Sequence, residues 1–130
     1  MAQREHVQSL NGAEGEDDLS SLRDRLRDFA AARNWNQFHS PKNLAIAISV
    51  EAGELLEHFQ WIEDNESHAV PADKMPKIKE EMADVMLYLI RLADVLNIDL
   101  TQAAKSKIVL NGERYPVDKS RGSAKKYTEL

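Results

Sequence analysis

The sequence predicts an all-α protein, a bundle of four to five helices, and three observations support this. Apolar residues recur at spacings of three and four over long stretches, which is the period of an α-helix. No stretch shows the strict alternation of apolar and polar residues that is typical of a half-buried strand. The 130 residues include only 5 Gly and 4 Pro, and 42% of them are hydrophobic. A chain of this size and composition is expected to build one compact core.

Each predicted helix has a recognisable beginning or end. The four helices are predicted over about residues 18–34, 41–61, 76–97 and 99–112. Ser40 followed by Pro41 is typical of an N-cap and a first helical residue, because proline lacks a donor that this position leaves unpaired anyway. Asp99 is expected to cap the fourth helix. The predicted organisation is a flexible leader over 1–17, a helical domain over 18–115, and a tail over 116–130 that packs on the domain or on a partner subunit.

Composition and charge exclude several classes of function. The absence of cysteine excludes disulfides, thiolate-bound zinc and a cysteine nucleophile. No apolar stretch has the length of a membrane span or a signal peptide, so we expect a cytoplasmic protein that does not act at a membrane. The net charge is −5, and 7 of the 17 basic residues lie within 105–130. The rest of the chain, residues 1–104, is acidic and would repel a nucleic-acid backbone, so we expect no nucleic-acid partner.

Four carboxylates occupy helix positions that periodicity assigns to the interior. Glu51 falls in the middle of an apolar sector of the second helix, and Glu54 lies one turn on at the edge of that sector. Glu81 and Asp84 repeat the spacing on the third helix, beside the apolar stripe at 78, 82, 85, 89, 92 and 96. An unpaired carboxylate in such surroundings is costly or becomes protonated.

Positively charged partners for these carboxylates are scarce. Residues 41–100 contain 5 basic and 12 acidic side chains. Lys77 and Lys79 are predicted to lie away from this face, and Arg91 is the one basic residue near it. A hard divalent cation with oxygen ligands, Mg²⁺ or Mn²⁺, therefore explains the four carboxylates best. The alternative is a structural bundle whose acidic residues are solvated. His58, four residues after Glu54, could reach the edge of the site, but a lone histidine on an inward helix face is more often a packed or hydrogen-bonded side chain.

Longer motifs in the same regions resemble a known family. The segments E-A-G-E-L-L-E-H-F-Q-W at 51–61 and E-E-M-A-D-V at 80–85 resemble the MazG-like all-α nucleoside triphosphate pyrophosphohydrolases, and the dCTP pyrophosphatases in particular. Further similar blocks lie at 34–44, 106–116 and 122–127, so that the resemblance covers about residues 19–130. The resemblance implies the helical bundle of these nucleotide pyrophosphatases and assembly as a homodimer or homotetramer with sites near subunit interfaces.

The resemblance also implies an activity and a cofactor. The expected reaction is cleavage of the α–β phosphoanhydride of a nucleoside triphosphate, dCTP or a modified deoxynucleoside triphosphate, to a monophosphate and pyrophosphate, in a nucleotide-pool cleansing role. The expected cofactor is Mg²⁺, with Mn²⁺ as a possible substitute. The implied catalytic and metal-binding residues are Glu51, Glu54, Glu81 and Asp84. Leu26 stands where vertebrate dCTP pyrophosphatases carry a histidine, which leaves the preferred base open.

Substrate-binding residues are carried over from the matching blocks. Trp35, Trp61 and Tyr88 are implied to line the base pocket, although each could be ordinary packing. His39 and Asn43 match the block at the start of the second helix. The fourth helix and its end are implied to face the triphosphate with Lys107, Asn111, Arg114 and Tyr115, whose alternative is a solvated basic face. A competing hypothesis is a non-catalytic helical module that binds a nucleotide or a partner protein.

Overall fold

The computed structural model describes residues 18–130, and these residues form helices and turns without a strand. The helices are α1 (Leu19–Ala32), α2 (Pro41–Glu57), α3 (Met75–Val95), α4 (Leu100–Arg114) and the short α5 (Val117–Ser120), with 3₁₀ turns at Asn36–Phe38, Glu66–His68 and Tyr127–Glu129. The predicted all-α class is confirmed. The predicted leader over 1–17 lies outside the described residues. No helix within 18–130 is both long enough and apolar enough to cross a membrane.

Two compact units divide the chain, the first ending at Asn97 and the second comprising Ile98–Leu130. In the first unit, α1 and α2 both pack against α3, which makes α3 the central helix. The buried apolar side chains of this unit are Ala30, Leu44, Ile78, Ile90 and Ala93. The predicted domain limits, 18–115 with a tail over 116–130, stay a prediction.

Local sequence chemistry fixes the ends of α1 and α2. The Asp18 carboxylate accepts a hydrogen bond from the Ser21 backbone N–H (3.0 Å), as an N-cap does. Asn34, at φ 56°, ends α1 in the left-handed region where asparagine is tolerated. The Ser40 hydroxyl accepts from the Asn43 backbone N–H (3.1 Å), and Pro41 is the first residue of α2. The predicted start of each helix is therefore confirmed.

The second helix is shorter than predicted. It ends at Glu57 rather than near Trp61. The backbone N–H groups of His58 and Phe59 bond to the carbonyls of Leu55 and Leu56, three residues back (3.3 and 2.9 Å). This is the tightened last turn of a helix. The chain beyond it continues in turns, which carry Trp61 off the helix axis.

The buried face of α3 differs from the predicted apolar stripe. Met82, Leu89 and Leu96, all in that stripe, are 57%, 41% and 46% exposed, whereas Glu81 and Arg91 are buried. The prediction that this stripe faces the interior is wrong for these three residues. Periodicity identifies an apolar stripe, but the covered face is the one on which α1 and α2 pack. On α3 its buried residues are Ile78, Glu81, Ile90, Arg91 and Ala93.

The second unit is built on α4. The Asp99 carboxylate accepts from the Gln102 backbone N–H (3.0 Å) and caps this helix, as predicted. The helix continues to Arg114, about two residues beyond its predicted end. The Arg114 guanidinium lies over the Tyr127 ring, 4.7 Å from its centroid, and the Tyr115 and Tyr127 rings meet edge to face at 6.0 Å. These contacts hold the C-terminal segment against the end of α4.

Candidate metal and substrate site

Three of the predicted carboxylates converge between α2 and α3. Glu51 on α2 and Glu81 and Asp84 on α3 each offer a carboxylate oxygen, and these oxygens lie within 4.8 Å of one another. Glu81 and Asp84 are three residues apart, so that they project from one side of α3. We call these three residues the carboxylate cluster.

The carboxylate cluster is partly buried, with Glu51 and Asp84 half-buried and Glu81 buried. Glu81 is only 5% exposed. The Glu51 Oε2 atom is buried and has no hydrogen-bond partner among the described residues. A buried acceptor without a partner costs roughly 1–3 kcal/mol, and more when it is charged. The fold therefore leaves this carboxylate oxygen without a hydrogen-bond partner among residues 18–130.

Crowding of the carboxylates changes the pKa of one of them. Burial raises the pKa of Glu51 from its usual 4.5 to about 7, and the neighbouring carboxylates of Glu54, Asp84 and Glu81 add to the rise. A raised pKa means that the negatively charged form of Glu51 is disfavoured at this position. A bound cation would reverse that preference.

Two basic side chains approach the cluster, both at Glu81. Lys77 Nζ lies 3.8 Å from Glu81 Oε1, and His58 Nε2 lies 4.0 Å from the same atom. The expectation that Lys77 lies away from this face is wrong, because its long side chain reaches one turn along α3. Among the described residues, neither of these side chains is paired with Glu51. A set of close carboxylate oxygens with one unpartnered member suits a hard divalent cation.

Glu54 stands apart from the cluster. Its side chain is exposed, so the expectation that it faces the interior is wrong. The reason is its place at the edge of the apolar sector, where one turn of helix carries it past the contact with α3. It still lies close enough to Glu51 to influence that residue's pKa. Its role as a metal ligand stays a prediction.

A cavity of about 430 Å³ adjoins the cluster. The apolar and aromatic part of its lining is Leu22, Leu26, Phe29, Ala30, Trp35, Leu87 and Tyr88. Its polar lining is Arg25, His39, Asp84 and Arg91. Asp84 belongs to both the cavity and the carboxylate cluster. A ligand in the cavity would therefore lie beside the clustered carboxylates.

The cavity brings together three of the predicted substrate-binding residues, Trp35, His39 and Tyr88. Trp35 packs edge to face against Phe29, with ring centroids 5.7 Å apart. Trp61 is not in the lining and is 87% exposed. Asn43 is not in the lining either, and its side-chain amide donates to the Phe38 carbonyl (3.0 Å). Substrate binding by Trp61 and Asn43 stays a prediction.

The remaining predicted substrate residues belong to the second unit. Lys107, Asn111 and Arg114 lie on α4 at spacings of four and three, and Tyr115 is its C-cap residue. Lys107 and Asn111 are exposed, whereas Arg114 and Tyr115 are partly buried against Tyr127. These spacings place Lys107, Asn111 and Arg114 on one face of the helix. The contact of this face with a triphosphate stays a prediction.

The sequence analysis missed the part of the cavity that α1 supplies, and it misassigned Arg91. Leu22, Leu26 and Phe29 recur at helical spacing on α1 and line the cavity, but such an apolar stripe in a sequence does not distinguish a packed face from a cavity wall. Arg91 was expected to be the cation nearest the carboxylates. It instead donates to His39 and Asn36 (3.1 and 2.7 Å).

An all-α unit that holds clustered carboxylates beside an aromatic cavity has the features of a metal-dependent hydrolase site. The model of the MazG-like family matches residues 46–130. The chain therefore belongs to the MazG-like family. The family resemblance predicted from the segments at 51–61 and 80–85 is confirmed.

Curated relatives and a solved structure agree with this assignment. The chain is 47% identical over 114 residues to dCTP pyrophosphatase 1 of Mus musculus, across 86% of this chain and 67% of the relative. It is 43% identical over 116 residues to the Homo sapiens protein of the same name, with the same coverage. A crystal structure of a pyrophosphatase from Archaeoglobus fulgidus matches with a TM-score of 0.71 and 43% identity, across 75% of this chain and 91% of that one. The predicted enzyme class, a nucleotide pyrophosphatase, is confirmed.

Proposed function

We propose that this protein hydrolyses a deoxynucleoside triphosphate between its α- and β-phosphorus atoms and releases a monophosphate and pyrophosphate. The observation that supports this most strongly is the buried, unpartnered Glu51 Oε2 in a carboxylate cluster that shares Asp84 with an aromatic cavity. The relatives named dCTP pyrophosphatase 1 favour dCTP or a modified deoxynucleoside triphosphate as the substrate. The biological role would be removal of unwanted nucleotides from the pool.

The cofactor in this proposal is Mg²⁺, with Mn²⁺ as a possible substitute. Glu51, Glu81 and Asp84 would hold it, and Glu54, one turn from Glu51, would join them when its side chain rotates inward. A divalent cation there supplies the positive charge that lets an anionic triphosphate approach these carboxylates and that stabilises the leaving pyrophosphate. Without it, the cluster and the substrate repel each other.

The protein's own residues would bind the substrate and move a proton. The base would stack in the cavity against Trp35 and Tyr88. Lys107 and Arg114 would hold the β- and γ-phosphates, and Asn111 and Tyr115 would add hydrogen bonds. A carboxylate oxygen of Glu51 or Glu54 would take the proton from the water that attacks the α-phosphorus.

Assembly as a homodimer or homotetramer completes the proposal. Large apolar side chains lie at the surface of the single chain, among them Ile46, Val50, Leu56, Trp61, Met82 and Met86. An exposed apolar surface of this kind marks an interface in many proteins. A second subunit that covers it could bring Trp61 into a neighbouring pocket. The acidic net charge argues against a nucleic-acid partner, and the cytoplasmic location stays a prediction.

The experiment that tests the proposed function identifies the products. The purified chain is incubated with each canonical ribonucleoside and deoxyribonucleoside triphosphate, with and without Mg²⁺, and the products are separated by chromatography. A monophosphate and pyrophosphate, formed only with Mg²⁺, are expected. Release of orthophosphate and a diphosphate would refute the choice of bond. Nucleotide binding without turnover would favour the non-catalytic binding module instead.

A further inference from the structure

Arg91 is a buried cation that makes three hydrogen bonds. It is 8% exposed. Its Nε–H donates to His39 Nδ1 (3.1 Å), and its two terminal nitrogens donate to Asn36 Oδ1 (2.7 Å) and Asp94 Oδ2 (3.3 Å). Asp94 also accepts from Arg27 Nε (2.8 Å). Each of the three guanidinium nitrogens therefore donates one hydrogen bond, and Arg91 is held in one orientation.

This arrangement determines where His39 carries its proton. An arginine Nε–H can only donate, so the His39 Nδ1 that faces it has to be an acceptor without a proton. In a neutral imidazole the proton then lies on Nε2. Burial and the positive charge of Arg91 both lower the pKa of His39, which favours the neutral form at neutral pH.

The other nitrogen of His39 is available to a ligand. None of the hydrogen bonds within residues 18–130 involves His39 Nε2. His39 lines the cavity beside Trp35, with ring centroids 6.3 Å apart. A donor in such a cavity, next to an aromatic ring, is placed to recognise the polar edge of a flat ligand while the ring packs on its face.

Building on the proposed function, we infer that Arg91 is a positioning residue that fixes His39 as an Nε2–H donor to an acceptor atom on the substrate's base. The acceptor would be a carbonyl oxygen or an unprotonated ring nitrogen. Arg91 itself does not need to touch the substrate. Its contribution is to disfavour the other tautomer of His39. In that tautomer an unprotonated Nε2 would face the acceptor atom of the base and repel it.

A double-mutant cycle tests this inference, with Arg91→Met, His39→Phe and the double variant. One neutral hydrogen bond corresponds to roughly a 3- to 10-fold change in equilibrium. Each single variant should raise KM for the best triphosphate by about that factor, with little change in kcat, if the base contact is made equally before and during the reaction. The double variant should be no worse than either single one, because Arg91 acts through His39.

Two further variants separate positioning from general structural damage. Arg27→Met removes another arginine bonded to Asp94 but leaves the Arg91 to His39 bond, so its KM should stay at the wild-type value. Arg91→Lys keeps a charged donor and should recover part of the loss. If Arg91→Met fails to fold, Arg91→Lys takes its place in the comparison of KM values.

A direct readout is the ¹⁵N NMR spectrum of the His39 ring in the substrate-free protein. The wild type should show Nδ1 without a proton and Nε2 with one, Arg27→Met should match it, and Arg91→Met should show a mixture of tautomers. A proton on Nδ1 in the wild type would overturn the inference. Effects on KM that multiply in the double variant, or an equal loss in Arg27→Met, would overturn it as well.

A failure of the proposed function can be distinguished from a failure of the inference about Arg91. In that case the wild type turns over no triphosphate, while the tautomer measurement remains valid. The same double-mutant cycle is then measured as the Kd of dCMP in EDTA. Loss of dCMP affinity in both single variants, without further loss in the double variant, would support the inference, and unchanged affinity in His39→Phe would refute it.

Discussion

Glu51 on α2 and Asp84 on α3 place carboxylate oxygens within 4.8 Å of each other, although the two residues belong to different helices. Two negative charges at such a separation repel each other, and the effect is strongest where water is excluded. The repulsion and the burial together raise the pKa of Glu51. The carboxylate cluster therefore lowers the free energy of unfolding of the metal-free protein, as expected when function rather than stability selects the residues.

Removing a carboxylate from the cluster should abolish turnover. Glu51→Gln and Asp84→Asn keep the size of each side chain but remove the charge that would hold a cation, so we expect kcat/KM to fall at least about 100-fold. The measurement is steady-state release of pyrophosphate at saturating Mg²⁺. Glu57→Gln, at the exposed end of the same helix, is the matched control. Wild-type activity in either cluster variant would refute the assigned site.

Magnesium should stabilise the protein through the same residues. A ligand present at 100 times its Kd adds about 2.7 kcal/mol to the free energy of unfolding, provided that it binds only the folded state. We expect the wild-type Tm to rise with Mg²⁺ concentration, whereas the Tm of Glu51→Gln should rise much less. Differential scanning fluorimetry, with EDTA and with Mg²⁺, measures both. Equal shifts in the two proteins would place the bound ion elsewhere.

Local sequence chemistry was sufficient for the parts of the fold that depend on neighbours in the chain. Ser40 and Pro41 predicted the start of α2, because a cap is formed within one turn. The spacing of Glu81 and Asp84 predicted that they share one side of α3, because helical periodicity is local too. The motif blocks then predicted the family, which residues 46–130 match.

Contacts between distant residues were not predictable in the same way. Arg91 and His39 are 52 positions apart, and nothing in either segment specifies the other as its partner. The apolar stripe with Met82 and Leu89 did not reveal that α1 and α2 would cover the adjoining face instead. Such choices depend on how the helices pack, and a further subunit that covers Met82 would explain why that stripe is apolar.

The pKa of Glu51 predicts how the metal-free protein responds to pH. In the folded state Glu51 keeps a proton that the unfolded chain releases above pH 4.5, so its contribution to stability is complete below pH 4.5 and is lost as pH rises through about 7. The free energy of unfolding of the wild type, relative to Glu51→Gln, should therefore decrease across this window and level off above it. Urea unfolding in EDTA between pH 5 and 8 measures the difference. Parallel curves for the two proteins would contradict the raised pKa.

Trp35 should contribute to base binding through its ring. It is 42% exposed and lines the cavity beside Phe29 and His39, and stacking of a base on an aromatic side chain is worth roughly 1–3 kcal/mol. Trp35→Ala should therefore raise KM for the best triphosphate by about 5- to 150-fold, with a smaller effect on kcat, because the ring lies away from the phosphates in the proposed mode of binding. Phe38→Ala is the control, since Phe38 belongs to the adjacent turn, is 58% exposed and does not line the cavity. A similar rise in KM for both variants would indicate that the turn, rather than the Trp35 ring, supports binding.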